Sequence, residues 1–199
     1  MKKWNVLLMI LFAAWTFQAC NNAADNDAVE NANEANENKR DDDTTGSNIG
    51  ATTSVEKDDS EFMVKAASSS MMEIELGNLA QQKASSQRVK DFAAMMVRDH
   101  TQASDELKAL AARKNVTLPS TAGDKHRDHI KDLQEKTGAD FDKAYMDMMV
   151  SDHKESVDSF EKASNNANDA DVKAFASKTL PVLKSHHDQA KSINDNVKK

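Results

Sequence analysis

The stretch Val89-Lys90-Asp91-Phe92-Ala93-Ala94-Met95-Met96-Val97-Arg98-Asp99-His100-Thr101-Gln102-Ala103-Ser104-Asp105-Glu106-Leu107 decides the fold. Val89, Phe92, Met96, Ala103, Leu107 and then Leu110 share one face if the chain is helical, because about 3.6 residues complete a turn. The row has one polar member, His100. The spacing predicts a helix from about Ser86 to Lys114, closed by Asn115 and Pro119.

The same period appears on both sides of this stretch. A helix from about Asp59 to Ala84 carries Phe62, Ala66, Ser69, Glu73, Leu76, Ala80 and Lys83 in its row. A third, from about Asp140 to Ser164, carries Met146, Val150, His153, Val157 and Phe160, flanked by Phe141 and Tyr145. A fourth, from about Asp169 to Val197, carries Val172, Ala176, Thr179, Leu183, His186, Ala190, Ile193 and Val197. A weaker helical segment, Asp124 to Lys136, ends at Gly138. The chain has 199 residues, with five Gly and two Pro and no strand-forming runs of Val, Ile and Thr. An all-α class follows.

The two halves resemble each other. Lys83-Ala84-Ser85 recurs as Lys162-Ala163-Ser164, and Val89-Lys90-Asp91-Phe92-Ala93 as Val172-Lys173-Ala174-Phe175-Ala176. Met95-Met96-Val97-Arg98-Asp99-His100 recurs, out of that order, as Met148-Met149-Val150-Ser151-Asp152-His153. Two helical hairpins joined by one long crossover are expected. That is a ferritin-like up-down four-helix bundle, with the short extra helix in the crossover between helices two and three.

Each long helix has one titratable residue near the middle of its apolar row: Glu73, His100, His153 and His186. Buried imidazole or carboxylate costs free energy unless it is paired or bound. Glu73 and His100 fall near one level when counted from their shared turn. His186 falls about a turn deeper than His153. Two readings stand. One is a transition-metal site, iron or copper in first place, with these four residues as ligands. Met96 and Met149, each four residues before a histidine, could share its face and favour copper. Asp99 and Asp152 could orient or replace the histidines. The other reading is an internal hydrogen-bonded network with methionines that fill the core. No Glu-x-x-His motif of di-iron bundles occurs.

Pro181 lies inside helix four and predicts a kink there. Gly77 predicts a close helix approach. His126 and His129 read as a surface pair rather than a ligand pair, and His187 as solvated.

The front of the chain differs. Lys2 and Lys3 precede an apolar run from Val6 to Phe17, too short for a stable span and suited to a signal peptide. Phe17-Gln18-Ala19-Cys20 resembles a lipobox, which implies cleavage after residue 19 and lipidation at Cys20. Cys20 is the only cysteine, so neither an intrachain disulfide nor a zinc site of several thiolates is available. Residues 20–57, with the run Asp41-Asp42-Asp43, read as a lipidated cysteine and a disordered acidic tether. The helical domain is expected over 58–199. The net charge is −7, and no basic stripe with interleaved aromatics supports a nucleic-acid partner.

A set of short motifs then identifies a family. Ser60-Glu61-Phe62, Glu73-Ile74-Glu75-Leu76-Gly77, Met96-Val97-Arg98-Asp99-His100, Val116-Thr117-Leu118-Pro119, Phe141-Asp142-Lys143-Ala144-Tyr145-Met146, Val150-Ser151-Asp152-His153 and Thr179-Leu180-Pro181-Val182-Leu183 with His186 resemble the bacterial domain of unknown function 4142 family. The resemblance covers about residues 58–196. It implies a ferritin-like helical fold and a protein of the cell envelope, in the outer membrane facing the periplasm, and it brings no established activity. The pairs Met95-Met96 and Met148-Met149 are richer in methionine than the family pattern and leave the choice of metal open.

Two functions of different kinds are compatible with these residues. One is an envelope lipoprotein whose bundle core binds a transition metal, joined to the membrane through Cys20. The other is a non-catalytic structural or stress-response envelope protein that acts through its surface. Enzymatic turnover has less support, because no nucleophile-base constellation and no phosphate loop is present.

Overall fold

All five helices expected from the periodicity form, and a sixth precedes them. The computed structural model describes residues 27–45 and 55–197. Its helices are α1 (Ala28–Thr45), α2 (Lys57–Lys83), α3 (Gln87–Arg113), α4 (Asp124–Gln134), α5 (Gly138–Asn166) and α6 (Ala170–Val197). Among the described residues there is no strand beyond a single bridge between Ala84 and Gly138. The protein is all-α. No described helix is long and apolar enough to cross a membrane.

α2 packs on α3, α3 on α6, α6 on α5 and α5 on α2. The crossover returns along α2: the Gly123 amide donates to Ser68 Oγ at 2.9 Å, and Lys83 reaches the Gln134 carbonyl. α5 therefore starts beside the α2–α3 turn and runs back antiparallel to α2. Two buried aspartates fix this arrangement. Asp142, near the start of α5, accepts the Ser85 and Ser86 amides at 3.0 and 2.8 Å and the Ser85 hydroxyl at 2.5 Å. Asp59, near the start of α2, accepts the Asp169 amide in the α5–α6 turn at 2.7 Å. Each hairpin thus holds the turn of the other. Asp169 in turn caps α6 by accepting the amides of Asp171 and Val172 at 2.9 and 3.1 Å.

Local stereochemistry sets the ends. Asn115 takes φ 55° after α3, and the Val116 amide closes back on the Ala111 carbonyl at 2.9 Å, a left-handed helix stop. Gly138 takes φ 60° at the start of α5, a conformation that costs glycine little. At Gly77 a Cβ would stand 2.7 Å from Val97 Cγ2 and 3.1 Å from the Ala93 carbonyl, so the expected close approach is real and joins α2 to α3. α6 continues through Pro181.

Two expectations need correction. The first is the disordered tether over 20–57. Residues 28–45 within it form α1, and Val55 is buried in the core. Apolar period could not reveal α1, because polar contacts to the crossover hold it. Asn36 Oδ1 accepts the Thr117 amide at 2.6 Å while its Nδ2 donates to the Thr117 carbonyl at 2.9 Å. Lys39 reaches the Asn115 carbonyl and Thr117 Oγ1 at 2.9 and 2.8 Å, and Asp27 Oδ1 accepts the Asp124 amide at 3.1 Å. The leader over 1–19, Cys20 and the rest of the tether up to residue 26 lie outside the described residues, as do 46–54. The second correction concerns α2. Met63, Val64, Ala67 and Met72 are buried although they lie off the predicted row, while Phe62 and Ser69 are only half-buried. α1 and α4 cover a second side of α2, so its apolar face is wider than one stripe.

Candidate metal centre

The apolar interior consists of two clusters. One surrounds Met72, Met96, Tyr145 and Met149, and the other surrounds Met63, Leu107, Phe160 and Leu183. Glu73, His100, His153 and His186 fall between them along their helices, and all four are buried, with relative exposures of 1%, 5%, 0% and 2%.

The three imidazoles converge. Each pair of ring centroids is 5.5 Å apart. One ligand nitrogen from each ring lies within 4.8 Å of the others. Glu73 joins them: its Oε2 is 2.8 Å from His100 Nε2 and its Oε1 is 3.5 Å from His153 Nδ1. His186 is therefore not a turn too deep. His153 and His186 stand thirteen and sixteen residues from the helix ends at their shared turn. Side chains lean towards the N-terminus of their own helix. In antiparallel α5 and α6 that lean moves His153 away from the turn and His186 towards it, so the rings meet.

Hydrogen bonding assigns a state to two of the rings. His153 Nδ1 is 3.0 Å from the Met149 carbonyl, one turn back, and a carbonyl can only accept. His153 therefore carries its proton on Nδ1, which leaves Nε2 with a free lone pair. His186 Nε2 is 3.0 Å from Asp99 Oδ2. Arg98 also donates to Asp99, through Nε at 2.7 Å and a second nitrogen at 3.2 Å. Asp99 is thus an ionised acceptor, and the free lone pair of His186 is on Nδ1. The atoms left without a hydrogen-bond partner are His153 Nε2, His186 Nδ1, His100 Nε2 and both Glu73 carboxylate oxygens. The 2.8 Å approach of Glu73 to His100 is close, but the N–H direction does not point at the oxygen.

Charge follows from burial. Burial lowers the His153 pKa against the attraction of Glu73, and burial lowers that of His186 to about 4 against its bond to Asp99. For Glu73, burial pushes the carboxyl up, and the imidazoles in their charged forms outweigh it and pull it down to about 2. An ionised Glu73 favours charged rings, whereas burial favours neutral rings at His153 and His186. Burial prevails for His153 and His186, because it acts on each ring whatever its neighbour carries. At neutral pH the centre then holds a carboxylate beside the free lone pairs of His153 and His186, an arrangement complementary to a cation. Metal–nitrogen bonds of about 2.0–2.1 Å would need the rings to close in by up to about an ångström.

The remaining predicted residues divide. Asp99 orients an imidazole, but that of His186 across the α3–α6 contact and not that of its neighbour His100. Asp152 lies apart. Its Oδ2 is buried without a partner beside a small cavity between α2, α4 and α5 that His126 also lines. Burial, then the charge of Glu73, pushes its carboxyl up to about 7. Met96 and Met149 are fully buried in the cluster around Tyr145. His126 and His129 are half-buried rather than on the surface, and Ser68 Oγ lies 2.8 Å from His126 Nδ1. His187 is half-buried. Sequence reasoning placed Tyr145 beside the row and missed its hydroxyl, which is buried with no partner. Burial and the charge of Glu73 raise its pKa.

A family model described as a domain of unknown function, DUF4142, matches residues 44–193. The chain belongs to the DUF4142 family. The family segment thus begins before the helical domain boundary expected at residue 58. Two solved structures resemble this DUF4142 chain in fold. The DUF305 fragment from Deinococcus radiodurans aligns with a TM-score of 0.64 at 9% identity, covering 71% of this chain and 98% of its own. CopM in the Cu(II)-bound form aligns with a TM-score of 0.60 at 17% identity, covering 69% of this chain and 96% of its own. No curated protein matches the DUF4142 chain.

Proposed function

We propose that this DUF4142 protein is a cell-envelope lipoprotein whose ferritin-like four-helix domain binds one transition-metal ion through Glu73, His100, His153 and His186. One observation carries the reading: three buried imidazoles, each with an unpartnered nitrogen, converge beside an unpartnered carboxylate. Bonds from His153 Nδ1 to a carbonyl and from His186 Nε2 to a carboxylate are the outer contacts that commonly orient metal-binding imidazoles. Copper is the first choice and iron the second. Imidazole and carboxylate donors suit both, and the affinity order of divalent ions favours Cu(II). CopM, which shares the fold, is described in a Cu(II)-bound form.

The anchor is Cys20, and the domain faces the periplasm from the outer membrane. This part rests on the leader and the lipobox resemblance. Six residues lie between Cys20 and Asp27, where α1 meets the domain. The seven steps from Cys20 to Asp27 span about 25 Å when extended, which limits how far the domain can stand from the membrane.

The test is metal analysis of the full chain after reconstitution with Cu(II), Fe(II), Zn(II) and Mn(II), beside a His100→Ala/His153→Ala variant. One tightly held equivalent in the wild type and none in the variant is expected. Sub-stoichiometric metal in the wild type, or equal metal in both, removes the reading. A second function, a structural or stress-response protein that acts through its surface, draws on the internal bonds from His153 to Met149 and from His186 to Asp99. It expects the double variant to stay folded and active.

A further inference from the structure

The centre is buried, so an ion needs a route to it. Two faces offer one. On the α2, α4 and α5 face, the small cavity beside Asp152 and His126 is lined by none of the four central residues. Between the four long helices, an inner cavity of about 30 Å³ is lined by Glu73, His100 and His186, by Asp99, Ala103 and Val182 towards the α3–α6 face, and by Ser69 and Ser156 towards α2 and α5. An outer cleft of about 160 Å³ shares Asp99, Ala103, Thr179 and Val182 with it and extends to Glu106 and Lys178. The cavity on the other face also meets the inner one, sharing Ala66, Ser69, Ser156 and Phe160 with it, but the α3–α6 cleft is the larger and shares Asp99, the carboxylate bonded to His186.

The chemistry along this line suits a cation. Asp99 spans the boundary: its side chain is 22% exposed, while the His186 ring it holds is 2% exposed. Its outer partner is Arg98, whose side chain is 70% exposed. Lys178 meets Glu106 at 2.8 Å on both carboxylate oxygens and neutralises the second acid of the cleft. Asp99 is thus the carboxylate that stands next on the way inward. The wall beside it is thin. Ala103 and Thr179 are short, and Val182 is 41% exposed, although large apolar side chains usually pack inward. Pro181, just before Val182, cannot donate to the Ser177 carbonyl, which locally loosens α6.

We infer that ions enter and leave through the α3–α6 cleft, and that Asp99, released from Arg98, takes the cation from water and passes it to His186 and His100. This rests on the metal reading above and adds the route to it. Arg98 is a placeholder: its guanidinium occupies the carboxylate until the ion displaces it. His186 Nε2 keeps its proton and its bond to Asp99 throughout, so the ion meets the free Nδ1 of that ring.

The experiment is stopped-flow loading of the full chain with Cu(II) alone, and release to a chelator, in three variants. Val182→Trp covers the mouth of the cleft and replaces none of the four central residues. Loading and release are expected to slow by the same factor, at least tenfold, with stoichiometry and equilibrium affinity unchanged. Glu155→Trp, at the cavity on the other face, is expected to load at the wild-type rate. Arg98→Gln is expected to load faster. If Val182→Trp does not fold, Val182→Cys labelled after folding with a bulky maleimide replaces it. An unaltered rate in the blocked protein, or slowing by Glu155→Trp instead, overturns the route. Unchanged or slower loading of Arg98→Gln overturns the role of Asp99. Wild-type protein that takes up no Cu(II) removes the metal reading itself, a result distinct from fast loading of the blocked variant.

Discussion

Glu73 Oε2 lies 2.8 Å from His100 Nε2 in the buried layer between the two apolar clusters, yet neither atom has a hydrogen-bond partner. A pair this close and this poorly aligned contributes little to the stability of the metal-free fold. A carboxylate left uncompensated in an apolar interior is costly, and replacing it by an apolar side chain of similar size is often neutral or stabilising. Glu73→Met should leave the metal-free domain as stable as the wild type or raise its melting temperature by a few degrees. The same change should abolish the stabilisation that Cu(II) gives the wild type. Calorimetry with and without Cu(II) measures both. A Glu73→Met protein that unfolds far below the wild type, or that keeps the full metal-induced shift, contradicts this account.

The acid response follows from His186. Burial holds its folded-state pKa at about 4, below the ordinary 6.5. Between those values the unfolded chain binds a proton that the folded chain does not. Stability is therefore full above about pH 6.5 and is lost as the pH falls towards 4. The His186 contribution is up to about 3 kcal/mol, at 1.36 kcal/mol per pKa unit. His153 shifts in the same direction and adds to the loss. Melting temperatures of the metal-free protein from pH 7 to pH 4 should fall, and less steeply in His186→Gln. A flat profile in the wild type contradicts neutral buried rings.

Asp142 joins the two hairpins through two amides and one hydroxyl of the α2–α3 turn, and its side chain is buried. Loss of a buried charge-assisted acceptor leaves those donors unsatisfied, at about 1–3 kcal/mol. Asp142→Ala should cost stability in that range or somewhat above it, read from the urea midpoint at unchanged slope. Asp142→Asn keeps one acceptor oxygen and should recover part of the loss. Equal midpoints for Asp142→Ala and the wild type would remove the proposed clamp.

Asn36 makes a two-way bond to the backbone of Thr117 and is itself buried. Asn36→Ala should free α1 while the rest of the domain stays folded. Amide hydrogen exchange would then quicken across residues 28–40 and at Thr117 by at least tenfold, with little change in α5 and α6. Exchange that stays slow in α1, or that quickens throughout the protein, contradicts the separate docking of this helix.

Much of this molecule is legible in its sequence because helices and their rows depend on local spacing. The bounds of α2 to α6, the stop at Asn115 and the close approach at Gly77 all follow from residues within a few turns of one another. Glu73, His100, His153 and His186 are legible for the same reason: each interrupts a row whose other members are mostly apolar or small. What sequence could not supply is anything that depends on two distant segments. α1 escaped because an Asn-rich helix held by Thr117 and Asn115 has no apolar stripe. Asp99 was placed beside His100, its neighbour in sequence, but serves His186, eighty-seven positions away.

The sequence by itself determined five helices, an all-α class and one polar position at mid-height on each long helix, since a 3.6-residue period writes itself into the spacing of side chains. Only the tertiary structure decided that the three imidazoles stand 5.5 Å apart, which of their nitrogens are free, and which face of the domain opens towards them. Those properties come from the antiparallel lean of facing side chains and from hydrogen bonds between helices, and neither exists until the helices have packed.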